Sequence, residues 1–204
     1  AGALAGLEGD ASVALDPSHL GLDVAPALFR ELLEQVASAL PQGSRIDVGA
    51  EDSARTDAAL GVVAEMALTG IPLQMTLQAN LRRSGDDGRT LADAGIAIRL
   101  VKGAYVEPSE QALAYGDETD LAYLQLARDL HAAGARLSLA THDRVLREAL
   151  LALLGPLPVE MLLGVREEDA RELVARGIPV RLYVPYGRNW FRYWTRRMAE
   201  AQGV

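Results

Sequence analysis

The feature that most constrains this chain is a strict alternation of short apolar runs and longer segments with helical periodicity. Residues 12–16, 45–48, 73–78, 97–101, 136–140, 159–162 and 180–184 read as strands. Between them, 25–40 sets Leu28, Leu32, Leu33, Val36 and Leu40 at the 3–4 spacing of one helix face. Residues 53–68 repeat the pattern with Ser53 placed to cap it, and 118–133, 143–154, 167–176 and 190–201 follow suit. A weaker, glycine-containing helix is predicted near 87–94. Strands that each feed a helix imply a parallel sheet with right-handed crossovers. A doubly wound sheet and a (β/α)8 barrel both satisfy that order, and both place ligands at the carboxyl ends of the strands.

A chain of 204 residues with no Pro/Ser-rich linker reads as one domain over 1–204, with 1–11 as a flexible lead. The net charge of −8 offers no basic face for nucleic acid. Absence of cysteine excludes disulfides and thiolate metal sites and suits a reducing compartment. No apolar run approaches the ~20 residues of a membrane span. The first residues carry neither an initiator methionine nor the positive flank of a signal peptide. Neither GxGxxG nor GxxxxGK[ST] occurs, so a nicotinamide site of Rossmann type and a P-loop are unsupported.

The strand ends carry Asp16, Asp47, Gln78, Lys102–Gly103–Ala104–Tyr105, Thr141–His142–Asp143, Glu160 and Tyr183. In "IRLVKGAYVEP", alternation puts Arg99 and Val101 on one face and Leu100 and Lys102 on the other. A cation among packed layers demands an anionic or strongly polar partner, which makes Arg99 a candidate. Gly103 permits close backbone approach, while Lys102 fits both a snorkelling side chain and a ligand contact. In "THD", Thr141 or Asp143 suits a helix cap, and the His142 ring is available to hydrogen-bond a cofactor. No other histidine or carboxylate lies at ligand spacing around His142, so no metal site is predicted. On the last helix, Tyr193, Arg196, Arg197 and Glu200 share a face. The two guanidinium groups form a fork for a carboxylate or phosphate, or pair with Glu200 within the helix.

Several of these segments together resemble one family. "LQANLRRS", "IRLVKGAYVEP", "LATHD" and "VEMLLGVREEDARELVARGIPVRLYVPYGRNWFRYWTRRMAE" are similar, in order, to the flavin-dependent proline dehydrogenases of the monofunctional bacterial type. The resemblance runs from about residue 12 to 200 and implies a (β/α)8 TIM-type barrel. This chain would supply its second to eighth strands, with the first strand and the helices before it missing. It implies non-covalent FAD, oxidation of L-proline to pyrroline-5-carboxylate, a quinone acceptor, and a cytoplasmic location with peripheral membrane contact. Arg99 would lie near the hydride-accepting nitrogen of the flavin, and Gln78 would bond its polar edge. Val101, Lys102, Gly103, Ala104, Thr141 and His142 would line the cofactor. Arg196 and Arg197 would hold the substrate carboxylate, Tyr183 and Tyr193 would wall the pyrrolidine ring, Leu162 would pack beside it, and Glu200 would brace the arginines.

The chain also departs from that pattern. Where the family's second strand ends in a substrate-binding lysine, this sequence has Asp16. The active-site aspartate of the third strand matches Asp47 if two residues are inserted before Glu51, or falls on Gly49 without a gap. Asn80 stands where tyrosine is common. These changes also suit a divergent flavoprotein with another substrate, and a missing strand suits a non-catalytic incomplete barrel.

Overall fold

The computed structural model describes residues 12–41 and 44–186, which fall into two compact units meeting at Leu137/Ser138. In the first, β1 (Ser12–Leu15), β2 (Arg45–Val48), β3 (Leu73–Gln78) and β4 (Ala97–Val101) pair in chain order, all parallel. A 3-10 turn (Pro17–Leu20) and α1 (Pro26–Ala39) follow β1. Helices α2 (Ser53–Ala67), α3 (Ser84–Asp93) and α4 (Asp117–Ala132) follow β2, β3 and β4 in turn. In the second unit, β5 (Leu137–Leu139), β6 (Val159–Leu162) and β7 (Val180–Tyr183) pair in parallel, connected through α5 (Arg144–Leu154) and α6 (Glu167–Ala175). This is the α/β, TIM-type alternation that the sequence predicts. The expected helix over 190–201 and the lead over 1–11 lie outside the described residues.

Period-two patterning divides the first sheet into two chemically distinct faces. Ile46, Val48, Leu73, Met75, Leu77, Ile98 and Leu100 are all buried on one face. Helices α2, α3 and α4 pack against β3 and β4 and contribute Val63, Met66, Leu91 and Tyr123 to the core. The register places Ser12, Asp47, Gln74, Thr76, Gln78, Arg99 and Val101 on the opposite face. Sheet polarity therefore puts the chemistry on one side and the stability on the other.

Two helix starts differ from expectation. The cap of α2 is Asp52, whose carboxylate accepts from the Arg55 amide at 3.2 Å, so the Ser53 hydroxyl is free to bond Glu107 at 2.7 Å. Helix α3 begins three residues before the predicted 87, and of its two glycines Gly88 serves packing. A Cβ on Gly88 would come within 2.9 Å of Leu130 Cδ2 and 3.1 Å of Leu77 Cδ2. A side chain at that position requires the ends of the Leu130 and Leu77 side chains to move. At α5 the cap is Asp143, accepting from the Leu146 amide at 3.1 Å.

Candidate active site

The polar face of the first unit is organised around Asp47, which is 1 % exposed. Its Oδ2 accepts from the Ser12 hydroxyl at 2.7 Å and from Arg99 Nη2 at 2.9 Å, while Oδ1 accepts from Arg45 Nε at 3.0 Å. Among the described residues, Asp47 is an anion that Arg99 reaches. Burial of a carboxylate is tolerated here because both oxygens are engaged and two cations flank it.

Beyond β3 and β4 the backbone turns are tied together. Ala79 and Asn80 donate to the carbonyls of Val101 and Lys102 at 2.8 and 2.9 Å, continuing the ladder past the strand ends. Gln78 Nε2 donates to the Glu51 carbonyl at 2.9 Å, and its Oε1 accepts from the Ala104 amide at 3.4 Å. Lys102 Nζ pairs with Asp120 on α4 at 2.5 Å. Gly103 has φ +122, and its carbonyl accepts from the Tyr115 hydroxyl at 2.8 Å. The Tyr105 hydroxyl donates to Ala50 O at 3.1 Å. Glu107 accepts from the Ser53 amide and hydroxyl, both at 2.7 Å. Residues 102–116 are in this way strapped across the ends of β2 and β3. Asn80 Oδ1 is buried without a hydrogen-bond partner among the described residues.

Asp16 ends β1 with its side chain 56 % exposed and 3.4 Å from His19 Nδ1. The Gly49 amide donates to Leu15 O at 2.8 Å, which seats Gly49 directly beside Asp16. The two principal departures from the family pattern are therefore neighbours in space.

In the second unit, Thr141 is buried at the end of β5, and its hydroxyl accepts from the Asp143 amide at 3.1 Å. His142 Nε2 accepts from the Leu162 amide at 3.2 Å, so that nitrogen carries no proton. The His142 ring thus fixes the end of β6. Glu160 is buried and accepts from the Ser138 hydroxyl at 2.6 Å. In register, Leu162 lies opposite Tyr183 on β7. Tyr193, Arg196, Arg197 and Glu200 lie outside the described residues.

Sequence reasoning missed Ser12, Arg45 and Asp120. The first two had a legible signal: Arg45 and Asp47 are two apart on a strand and so share a face. Asp120 had none, because its link to Lys102 depends on where α4 returns to the sheet.

A family model described as proline dehydrogenase matches residues 7–204. Among characterised relatives, proline dehydrogenase 1 of Bacillus subtilis subsp. natto is 31% identical over 201 residues, covering 94% of this chain and 66% of that protein. Proline dehydrogenase of Deinococcus radiodurans is 36% identical over 178 residues, covering 81% of this chain and 56% of that one. The chain thus spans less than two thirds of the length of these relatives. Two solved structures share the fold. Proline utilization A from Bdellovibrio bacteriovorus, inactivated by N-propargylglycine, superposes with a TM-score of 0.80 at 22% identity, over 92% of this chain and 24% of that one. Its counterpart from Corynebacterium freiburgense gives 0.74 at 22% identity and the same coverages. From the β1 strand through the "VKGAY" turn to the carboxyl terminus, this chain belongs to the proline dehydrogenase family.

Proposed function

We propose that the protein oxidises L-proline to pyrroline-5-carboxylate with FAD as the hydride acceptor. Family membership supports the reaction, and one structural observation carries the site: Arg99 is held on the polar sheet face, beside the Lys102–Gly103 turn, by a buried carboxylate. The residues present suit a flavin. They offer a fixed cation at Arg99, an amide at Gln78, a second cation at Lys102, and a turn at Gly103 where no side chain fits. The orphaned Asn80 Oδ1 adds an acceptor beside that turn.

A bound flavin would supply hydride-accepting chemistry: the carbon beside the proline nitrogen would give up a hydride and the nitrogen a proton, leaving a C=N bond. Arg99 opposes the negative charge that develops on the acceptor, an interaction strongest in the transition state. Val101, Gly103 and Ala104 shape the wall without adding charge. Thr141 and His142 are assigned to the cofactor by resemblance, as are Leu162, Tyr183 and Tyr193 to the ring and Arg196 and Arg197 to the carboxylate. The resemblance further assigns a quinone as the electron acceptor and a cytoplasmic location with peripheral membrane contact; none of the described helices is long and apolar enough to cross a membrane.

Asp16 favours a second reading, a relative whose substrate differs from proline near β1. An anion there opposes a carboxylate and attracts a hydrogen-bond donor. Turnover of L-proline against its hydroxylated and decarboxylated analogues, followed with a dye acceptor, separates the two. Preference for proline supports the first reading; preference for an analogue supports the second.

A further inference from the structure

Asp16 and Gly49 stand at the carboxyl ends of β1 and β2, on the face of the first sheet that carries the chemistry. Asp16 keeps extended backbone angles, φ −98 and ψ 129, so it shares a face with Ser12, whose hydroxyl bonds Asp47. Gly49 follows Asp47 by two, and its amide continues the ladder by donating to Leu15 O at 2.8 Å. Asp16 Oδ1 lies over Gly49, within 2.7 Å of the point where a Cβ would stand. The carboxylate thus leans across β2, toward the strands that carry Gln78 and Arg99.

Other carboxylates at this end of the first unit are engaged. Asp47 is 1 % exposed and accepts from Ser12, Arg45 and Arg99. Glu51 Oε1 accepts from the Ser18 amide at 2.8 Å, and Glu107 accepts from Ser53. The Asp16 side chain is 56 % exposed, and its ion-pair contact among the described residues is His19 Nδ1, 3.4 Å from Oδ2. Oδ1, the oxygen over Gly49, accepts no hydrogen bond from the described residues. We propose that Asp16 binds the substrate nitrogen. A substrate oxidised at the carbon beside a secondary amine presents an ammonium whose N–H donors require acceptors once water is displaced. An open carboxylate oxygen on the site face supplies one through a charge-assisted hydrogen bond, and so fixes the neighbouring carbon relative to the sheet. Gly49 is the permissive partner, because a side chain there would push the carboxylate away. The inference rests on the amine-oxidation reading above. It applies to proline and to its hydroxylated and decarboxylated analogues alike, since all carry that nitrogen.

The test is equilibrium binding to the flavin-loaded full chain after dithionite reduction, which holds the substrate without turnover. The ligands are the amine that bleaches the oxidised flavin fastest and its ring-oxygen analogue, the same ring with oxygen in place of N–H. The wild type should bind the nitrogen ligand about tenfold more tightly than the oxygen one. Asp16→Asn should weaken the nitrogen ligand about tenfold, the loss of a hydrogen bond between charged groups, and leave the oxygen analogue within about twofold. Gly49→Ala, which displaces the carboxylate without removing it, should act in the same selective way, so a failure of one variant to fold leaves the other readable. Equal weakening of both ligands, no change in either, or a wild type that does not discriminate between them would overturn the proposal while leaving oxidation of the amine intact. A wild type whose flavin none of these amines bleaches would overturn the reading and the inference together.

Discussion

A Cβ placed on Gly49 would lie 2.7 Å from Asp16 Oδ1 and 3.3 Å from Leu15 O, so the carboxylate of Asp16 occupies the volume a side chain at 49 would need. No positive φ is involved, and the requirement for glycine is spatial. The two positions are therefore coupled. Gly49→Ala should destabilise the fold by about 1–2 kcal/mol, a range set by overpacking. Asp16→Ala should relieve most of that penalty in the double variant. Urea denaturation of the four proteins measures the coupling; additive effects would mean that Asp16 moves away freely.

Gly103 is constrained twice. Its φ of +122 disfavours any side chain, and a Cβ would come within 2.5 Å of Asn80 Cγ. Gly103→Ala should cost about 1–3 kcal/mol from backbone strain alone, with the clash added. Asn80→Ala removes the clash and not the strain, so the double variant should recover only part of the loss. Full recovery in the denaturation midpoint would show that φ relaxes at this turn.

In the second unit, α5 and α6 are joined by a closed ring of charges. Arg147, with a side chain 1 % exposed, donates to Asp169 at 2.8 Å; Arg144 and Arg176 reach Glu172 and Glu148 at 2.9 and 2.8 Å. Contacts of 3.8, 3.6 and 4.0 Å complete the circuit. The hydrogen bond from Arg147 holds the Asp169 carboxyl below the usual aspartate range, and that from Arg176 does the same for Glu148. A depressed folded-state pKa contributes stability that is present above the unfolded value, about 3.9 for aspartate, and is lost as pH falls through the folded value. Asp169→Asn at neutral pH leaves the buried Arg147 with only its longer, 3.6 Å contact to Glu148 and should cost about 3 kcal/mol. The gap from the wild type should narrow in acid, where Asp169 is protonated in both states of the wild type. Urea midpoints at neutral and acidic pH provide the check, and a pH-independent gap would contradict the assignment.

Arg196 and Arg197 are proposed to hold the substrate carboxylate. Arg196→Ala or Arg197→Ala should weaken proline binding at least tenfold, the loss of a charged hydrogen bond worth roughly 1.5–3 kcal/mol, and leave flavin affinity nearly unchanged. Titration with proline and with flavin, done separately, reads both. Equal loss of the two affinities would contradict the role.

The alternation of apolar runs and helical periods was enough to locate all seven described strands, and four of them to the residue, because a strand buried on one face is a short run with sharp ends. Polar residues at the strand ends marked the chemical side of the sheet for the same reason. What the sequence could not convey was partnership across strands. Arg99 was legible as a cation needing an anion, yet its reach over β3 to Asp47 depends on strand order. The pairing of Lys102 with Asp120 depends on the return of α4, and the seating of Asp16 on Gly49 on a hydrogen bond from the Gly49 amide to the Leu15 carbonyl between neighbouring strand ends. Helix caps failed by one residue at α2 because Asp52 and Ser53 are both good caps, and Glu107, distant in sequence, decided between them.

The central claim is that Arg99, fixed by Asp47, serves a flavin that accepts electrons from proline. Anaerobic mixing of L-proline with the flavin-loaded full chain, followed by the visible absorbance of the flavin, tests it most directly. The absorbance should bleach in the wild type, and Arg99→Gln should slow that bleaching by about a hundredfold, a loss of roughly 3 kcal/mol of transition-state stabilisation. Flavin that stays oxidised in the wild type at saturating proline, or bleaching that is indifferent to Arg99, would contradict it.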